Sequence, residues 1–177
     1  ARNLHALSLE NEYKAARAHM GQFYGWERPL YFDKIDEPRM TFGRPDWFEN
    51  VRTEVMAAHN NAAIFDASSF GKIEVQGPEA EAVLLYTCSG FLGRPPGSVI
   101  YTAVLNERGT FESDITAQRI AHDHYRLFVG TNAIKRDLVW FQKNSKGFDV
   151  SLTDSTVDYA VLALMGPESA RIVSECG

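Results

Sequence analysis

The chain has 177 residues, 45% of them hydrophobic and 23% charged, with a net charge of −5. Such a composition suits a globular domain with a real core and excludes disordered and fibrous classes. No apolar run approaches the roughly 20 residues that cross a bilayer. The start, Ala1-Arg2-Asn3-Leu4-His5, lacks a signal-like apolar stretch, and no Lys/Arg cluster supplies the basic stripe that nucleic-acid phosphates require. The expected partner is a small molecule or another protein inside the cell, with no membrane and no nucleic acid. The cysteines, Cys88 and Cys176, lack CxxC spacing and read as small buried hydrophobes rather than a disulfide framework or a zinc site.

In chain order, Leu9, Tyr13, Ala16 and Met20 fall near one face and predict an amphipathic helix over 8–20. The run Gly21 to Phe32 is aromatic and broken by Gly25 and Pro29, which suggests a packed connecting segment rather than a regular element. Asp46-Trp47-Phe48-Glu49 has the form of a capping box, with an Asp46 oxygen accepting from the Glu49 amide, and opens a helix over 47–60. Beyond Ala62 the pattern turns to short strands over 63–67 and 72–76, then Gly77-Pro78 leads into a helix over 78–87. Residues 99–105 read as a strand, Asn106-Glu107-Arg108-Gly109 as a hairpin turn, and 110–119 as its partner. A turn at Ala121-His122-Asp123-His124, a strand over 125–129, and a helix over 133–143 with Ile134, Leu138 and Phe141 on its apolar face complete the pass.

One echo is internal. Ile73-Glu74-Val75-Gln76-Gly77-Pro78-Glu79-Ala80 resembles Leu162-Ala163-Leu164-Met165-Gly166-Pro167-Glu168-Ser169, each a strand passing through Gly-Pro into a helix. Two copies are too few for a solenoid. The expected class is α+β, an antiparallel sheet with flanking helices. The second such helix stops about ten residues after Pro167, so the chain is expected to be part of something longer.

Phe65-Asp66-Ala67-Ser68-Ser69-Phe70-Gly71-Lys72-Ile73-Glu74-Val75-Gln76-Gly77-Pro78 resembles the opening signature of the glycine-cleavage T-protein fold, a folate-binding aminomethyltransferase family. Pro96-Gly97 with Tyr101-Thr102, the run Leu105-Asn106-Glu107-Arg108-Gly109 leading to Ser113-Asp114, and the second Gly166-Pro167 follow the same pattern. The resemblance runs over 4–177 and implies the N-terminal part of a T-protein-like folate-binding domain. Within that superfamily Gly25-Trp26-Glu27-Arg28-Pro29 with Tyr31-Phe32 resembles the junction of dimethylglycine and sarcosine dehydrogenases, where an FAD domain precedes the folate domain. By that resemblance residues 1–40 connect from an upstream flavin domain and residues 41–177 open the folate domain. The implied location is a bacterial cytoplasm or the mitochondrial matrix. No Gly-x-Gly-x-x-Gly occurs here, so FAD would belong to the intact parent and not to these residues. The departures are Ser113-Asp114, where T-proteins often carry two adjacent acids, and Ser69, where they carry a histidine.

The implied chemistry delivers a one-carbon unit from an iminium, derived from an N-methyl amine, to tetrahydrofolate. A carboxylate beside the site would stabilise the cation and take the released proton. The resemblance gives that role to Asp114. Glu112, two residues away on the same strand face, is a weaker candidate. Tyr101 is implied as a folate contact, Thr116 shares the side of Asp114 by alternation, and Gly130 and Asn132 occupy the family's position of close backbone approach. Plainer readings stay open for each. Asp114 could be a solvated residue paired with Arg119 or Lys72, and Tyr101 a core tyrosine. Gly130 could serve only a turn, and Asn132 could cap the next helix. His122-Asp123-His124 reads as a solvated turn rather than a metal site, and Trp26 and Trp47 as packing residues. Two other identities also remain: a T-protein without a flavin domain, and a non-catalytic regulatory module that keeps the fold.

Overall fold

The computed structural model describes residues 4–176, which form two compact units, one from residues up to 68 together with 160 onward, the other from 69–159. In the first, helix α1 (Glu10–Ala15) leads into a hairpin of β1 (His19–Phe23) and β2 (Trp26–Tyr31). Helix α2 (Phe48–Asn60) and strand β3 (Ala63–Asp66) follow. The late strand β9 (Leu162–Met165), before helix α5 (Ser169–Cys176), pairs antiparallel with β3.

Three expectations fail in this unit. The helix predicted over 8–20 ends at Ala15, because Arg17 takes φ 55° and turns the chain so that Met20 enters β1. The aromatic run expected to be irregular is a hairpin. Tyr24 and Gly25, both at positive φ (48° and 88°), supply the two-residue turn, and successive left-handed residues are what a tight hairpin needs. Pro29 sits in this two-stranded ladder, where strands have open edges. Two of its aromatics are covered locally, while Phe23 and Tyr24 are exposed: Tyr31 stacks between His19 and Trp47, at centroid distances of 4.9 and 5.4 Å, and buried Leu7, Tyr13 and Trp26 form a small core. The capping box does not form either. Asp46 is held by the Arg39 guanidinium and backbone amide, which keep its carboxyl below the usual carboxylate range. Helix α2 starts at Phe48 without a side-chain cap.

The second unit is a five-stranded sheet in the order β5-β6-β7-β4-β8, comprising β4 (Gly71–Gln76), β5 (Val99–Leu105), β6 (Phe111–Ala121), β7 (His124–Val129) and β8 (Ser151–Asp154). All its pairs are antiparallel. The meander β5–β6–β7 matches the sequence expectation, while the four-residue edge strand β8 has no alternating apolar pattern and was not expected. Helices α3 (Ala80–Thr87) and α4 (Ile134–Asn144) belong to the same unit. The core joins Ile73, Val75, Leu84, Leu92, Val104, Ile115, Leu127 and Phe141, with Ile134 and Leu138 packed against it. Alternation along β6 is regular: Ser113, Ile115, Ala117 and Arg119 point inward, while Asp114 is exposed and Glu112, Thr116 and Gln118 are only partly covered.

The internal echo is real in three dimensions. Gly77 and Gly166 each end a strand ahead of a helix, at φ 140° and 120°. A Cβ on Gly77 would overlap the Asp149 carbonyl oxygen, and one on Gly166 would come within 2.5 Å of the Asn61 carbonyl oxygen. Of the cysteines, Cys88 is buried, with its thiol pushed up to about 11 by burial, whereas Cys176 is exposed, against expectation. No described helix is long and apolar enough to cross a membrane.

Candidate functional site

A cleft of about 390 Å³ opens on the second unit where β5, β6 and β7 meet the start of α4. Strand pairing builds one wall. Tyr101 lies opposite Thr116, and Thr116 opposite Phe128, which sets these three side chains in one row across the outward face of the sheet. Asp114 is two residues from Thr116 on that face. The other wall is the β7-to-α4 connection with Gly130, Asn132, Ala133 and Arg136, and Phe70 and Phe111 add aromatic surface. All five residues expected at the site, Tyr101, Asp114, Thr116, Gly130 and Asn132, line this one cleft.

Asp114 bonds to a neighbour on the outward face of the sheet. Its Oδ2 accepts a hydrogen bond from the Tyr101 hydroxyl at 2.8 Å, and Oδ1 has no protein partner among the described residues. That bond, together with the carboxylate charge, raises the Tyr101 phenol above its ordinary value. Tyr101 therefore stays a neutral donor at neutral pH. Arg119, the suggested surface partner, is instead buried, bridging to Glu81 and to the carbonyls of Arg94, Ala121 and His122. Tyr101 is 72% exposed, so it is no core tyrosine. Glu112 is engaged in the hairpin turn, accepting from Asn106 Nδ2 at 2.7 Å.

The alternative for Asn132 also falls away. Helix α4 begins without a side-chain cap, at Ala133, and Asn132 makes no side-chain hydrogen bond among the described residues. Its amide is therefore available to the cleft. Gly130 accepts from the Ala133 amide, and a Cβ on it would lie 3.1 Å from Asn132 Oδ1. Behind this connection the buried Ser69 accepts from the Thr131 hydroxyl at 3.3 Å. Ser69 thus ties the segment leading into β4 to the loop bearing Gly130 and Asn132.

One group in the cleft was not anticipated. Ser113 points inward and donates to Asp137 Oδ2 at 2.7 Å; Asp137 Oδ1 accepts from Arg136 Nε at 2.9 Å. Arg136 is a surface-type residue in the first turn of a helix, with no motif around it, so only the fold reveals its place at the cleft. In the turn at His122-Asp123-His124, His122 and Asp123 are exposed as expected, while His124 is partly covered. His124 opens β7 and bonds through Nε2 to Glu74 Oε2 at 2.6 Å, in a partly buried group with Arg126 and Ser155. No group of three potential metal ligands occurs among the described residues. A larger apolar hollow of about 650 Å³ lies in the first unit between the hairpin, α2 and β3. Its acids already serve the fold: Glu54 accepts from the Phe32 amide and Asp66 from Tyr13 and Ser68.

The family model for the GCVT N-terminal domain matches residues 9–177. The chain belongs to that family. Among curated GCVT relatives, the aminomethyltransferase of Thermotoga petrophila is 31% identical over 89% of this chain and 39% of its own length. The mitochondrial pyruvate dehydrogenase phosphatase regulatory subunit of mouse is 31% identical over 98% of this chain and 21% of its own length. Among solved structures, the glycine cleavage system aminomethyltransferase T of Bartonella henselae superposes with a TM-score of 0.81 at 26% identity, covering 99% of this chain and 44% of that one. The α+β class with an antiparallel sheet is therefore the fold of the T-protein. The chain spans about two fifths of the length of the aminomethyltransferases it matches.

Proposed function

We propose that this GCVT N-terminal domain forms part of a tetrahydrofolate site in which Asp114 receives the proton and balances the cation of one-carbon transfer. The observation that carries the reading is the Tyr101–Asp114 hydrogen bond at the mouth of an aromatic-lined cleft. The cleft fits such a ligand in kind. Its volume lies in the range of small-molecule sites, and Phe70, Tyr101, Phe111 and Phe128 offer flat apolar faces for rings. Asn132 and Thr116 add hydrogen-bonding groups. Tetrahydrofolate, when bound, supplies the amine that accepts the one-carbon unit. Asp114, fixed through Oδ2 by Tyr101, keeps Oδ1 for the proton released, and its charge favours a cationic donor close by. Thr116 and Asn132 orient, and Gly130 lets the ligand approach the backbone.

The finer reading makes the intact protein an FAD-dependent N-methyl amine dehydrogenase or oxidase of the dimethylglycine/sarcosine type. Residues 1–40 would follow a flavin domain, residues 41–177 would open the folate domain, and a C-terminal folate subdomain would complete the site. The Gly25-Trp26-Glu27-Arg28-Pro29 run supports it. A T-protein without a flavin domain shares the site and differs only in where the iminium arises. In the intact protein Asp114→Ala is expected to leave flavin reduction by the amine unchanged. Methylene transfer to tetrahydrofolate should fall by about two to four orders of magnitude, the range for a lost general base, with free formaldehyde appearing instead. An unchanged yield of methylenetetrahydrofolate refutes the role. A second reading, a regulatory module that keeps the fold without catalysis, is favoured by the match to the mouse regulatory subunit. It requires that calorimetry of the intact protein give no saturable heat with tetrahydrofolate.

A further inference from the structure

The cleft holds two acids, Glu112 and Asp114, and one cationic side chain among its described lining, Arg136. That cation is held in an unusual way. Its Nε donates to Asp137 Oδ1 at 2.9 Å, its Nη2 lies 2.9 Å from the same oxygen and 3.2 Å from Ser113 Oγ, and Ser113 donates to the other Asp137 oxygen at 2.7 Å. The anchor is buried while the guanidinium is not: the Asp137 side chain is 3% exposed and that of Arg136 is 60%. One edge of the fork, Nε with Nη2, faces the protein. Nη2 is shared between Asp137 and Ser113, and Nη1 has no protein partner among the described residues.

Burying a carboxylate costs several kcal/mol unless its attractions are very good, and an apolar residue at 137 would fill the same place without that cost. What the buried acid provides is aim. A free arginine samples many rotamers and loses that freedom on binding; one already clamped loses less. A guanidinium held in place with Nη1 free offers a carboxylate a charge-assisted hydrogen bond in a fixed direction.

We infer that Arg136, clamped by Ser113 and Asp137, recognises a carboxylate on the ligand of the cleft it shares with Asp114. The inference rests on the folate-site reading above. A ligand with a basic nitrogen for Asp114 and a carboxylate for Arg136 complements both charges. Two ligands of that reading carry the group: the glutamate of tetrahydrofolate, and the carboxylate of an N-methyl amino acid. Arg136 is a specificity residue in this account, and Ser113 and Asp137 are positioning residues that act through it.

The test uses calorimetry on the intact protein with two pairs of probes. The first pair is tetrahydrofolate and tetrahydropteroate, which lacks the glutamate; the second is N,N-dimethylglycine and trimethylamine, its equivalent without the carboxylate. The wild type is expected to prefer the carboxylated member of one pair by about tenfold or more, the scale of a charge-assisted hydrogen bond. Arg136→Gln should erase that preference while leaving the uncarboxylated member unaffected, and the pair that responds identifies the source. Arg136→Lys, which keeps charge without the fork, should retain only part of it and carries the test if the glutamine variant fails to fold. Ser113→Ala should lower the preference less than Arg136→Gln, and it should also lower the thermal midpoint, because it removes a hydrogen bond from the buried Asp137 carboxylate. A wild type that binds tetrahydrofolate but shows no carboxylate preference in either pair, or a preference that survives Arg136→Gln, overturns the inference alone. A wild type that binds neither folate overturns the folate reading and this one with it.

Discussion

Gly77 and Gly109 both adopt positive φ, yet replacing them with alanine should have very different consequences. At Gly109, φ is 71° and nothing lies within 4 Å of a built Cβ. Gly109→Ala therefore costs only the left-handed backbone penalty, about 1–2 kcal/mol. At Gly77, φ is 140°, and the new Cβ would overlap the Asp149 carbonyl oxygen and come within 2.8 Å of Val150 Cα. Both are backbone atoms on the approach to β8, so no side chain can rotate aside. The dihedral strain is worth about 1–3 kcal/mol, and forced displacement adds a further ~1–3 kcal/mol, the usual scale of overpacking. Cys88 reports on this unit directly, because its thiol is buried in the core while Cys176 is exposed. Thiol labelling of the intact protein should show a fast Cys176 phase and a slow Cys88 phase that requires opening. Gly109→Ala should accelerate the slow phase by roughly 5- to 30-fold, from 1.4 kcal/mol per factor of ten, and Gly77→Ala by considerably more. Equal acceleration by the two variants would show that the overlap is relieved at no cost and would refute the reasoning.

Glu74 yields a pH dependence of definite sign. Burial pushes its carboxyl up, but the bonds from Arg126, His124 and Ser155 outweigh burial and hold it below its ordinary 4.5. A depressed folded value means that the stabilisation is present above the unfolded value and is lost as pH falls through the folded one. The urea midpoint of the wild type should accordingly fall below about pH 4.5, and Glu74→Gln should start lower at pH 7 and show a shallower acid slope; parallel curves would count against the assignment. The Tyr101–Asp114 bond is testable by ultraviolet titration: Asp114→Asn should bring the Tyr101 phenolate transition down toward its ordinary value, and an unmoved transition would mean that the two groups do not interact in solution.

The second unit was legible in the sequence because its signals are local. The apolar run over 99–105, the turn residues Asn106 and Gly109, and the alternation on β6 each specify their own geometry. Alternation alone put Thr116 on the side of Asp114, and the family pattern named Tyr101 and Asp114. The first unit was misread for the opposite reason. The periodicity at Leu9, Tyr13, Ala16 and Met20 continues through a residue, Arg17, that breaks the helix by backbone conformation, a choice its side chain does not announce. Asp46 had two available partners, and the guanidinium of Arg39 won over a helix amide because it bonds both carboxylate oxygens. Arg136 and Asp137 were invisible for a further reason. Their importance depends on Ser113, 24 residues from Asp137 along the chain, and only strand pairing brings that hydroxyl to the helix.

The strand order bears on how the cleft comes into being. β5, β6 and β7 are joined in sequence by short turns, whereas β4 precedes them and is inserted between β7 and β8, pairing Gln76 with both His124 and Ser151. Contacts between neighbours in sequence close small loops and form early; those of β4 close long ones and form late. The wall carrying Tyr101, Asp114, Thr116 and Phe128 lies entirely on the early meander. Phe70 and the Ser69–Thr131 bond arrive only with β4. Loop-closure entropy therefore favours an order in which the acid is placed before the loop it faces is fastened down.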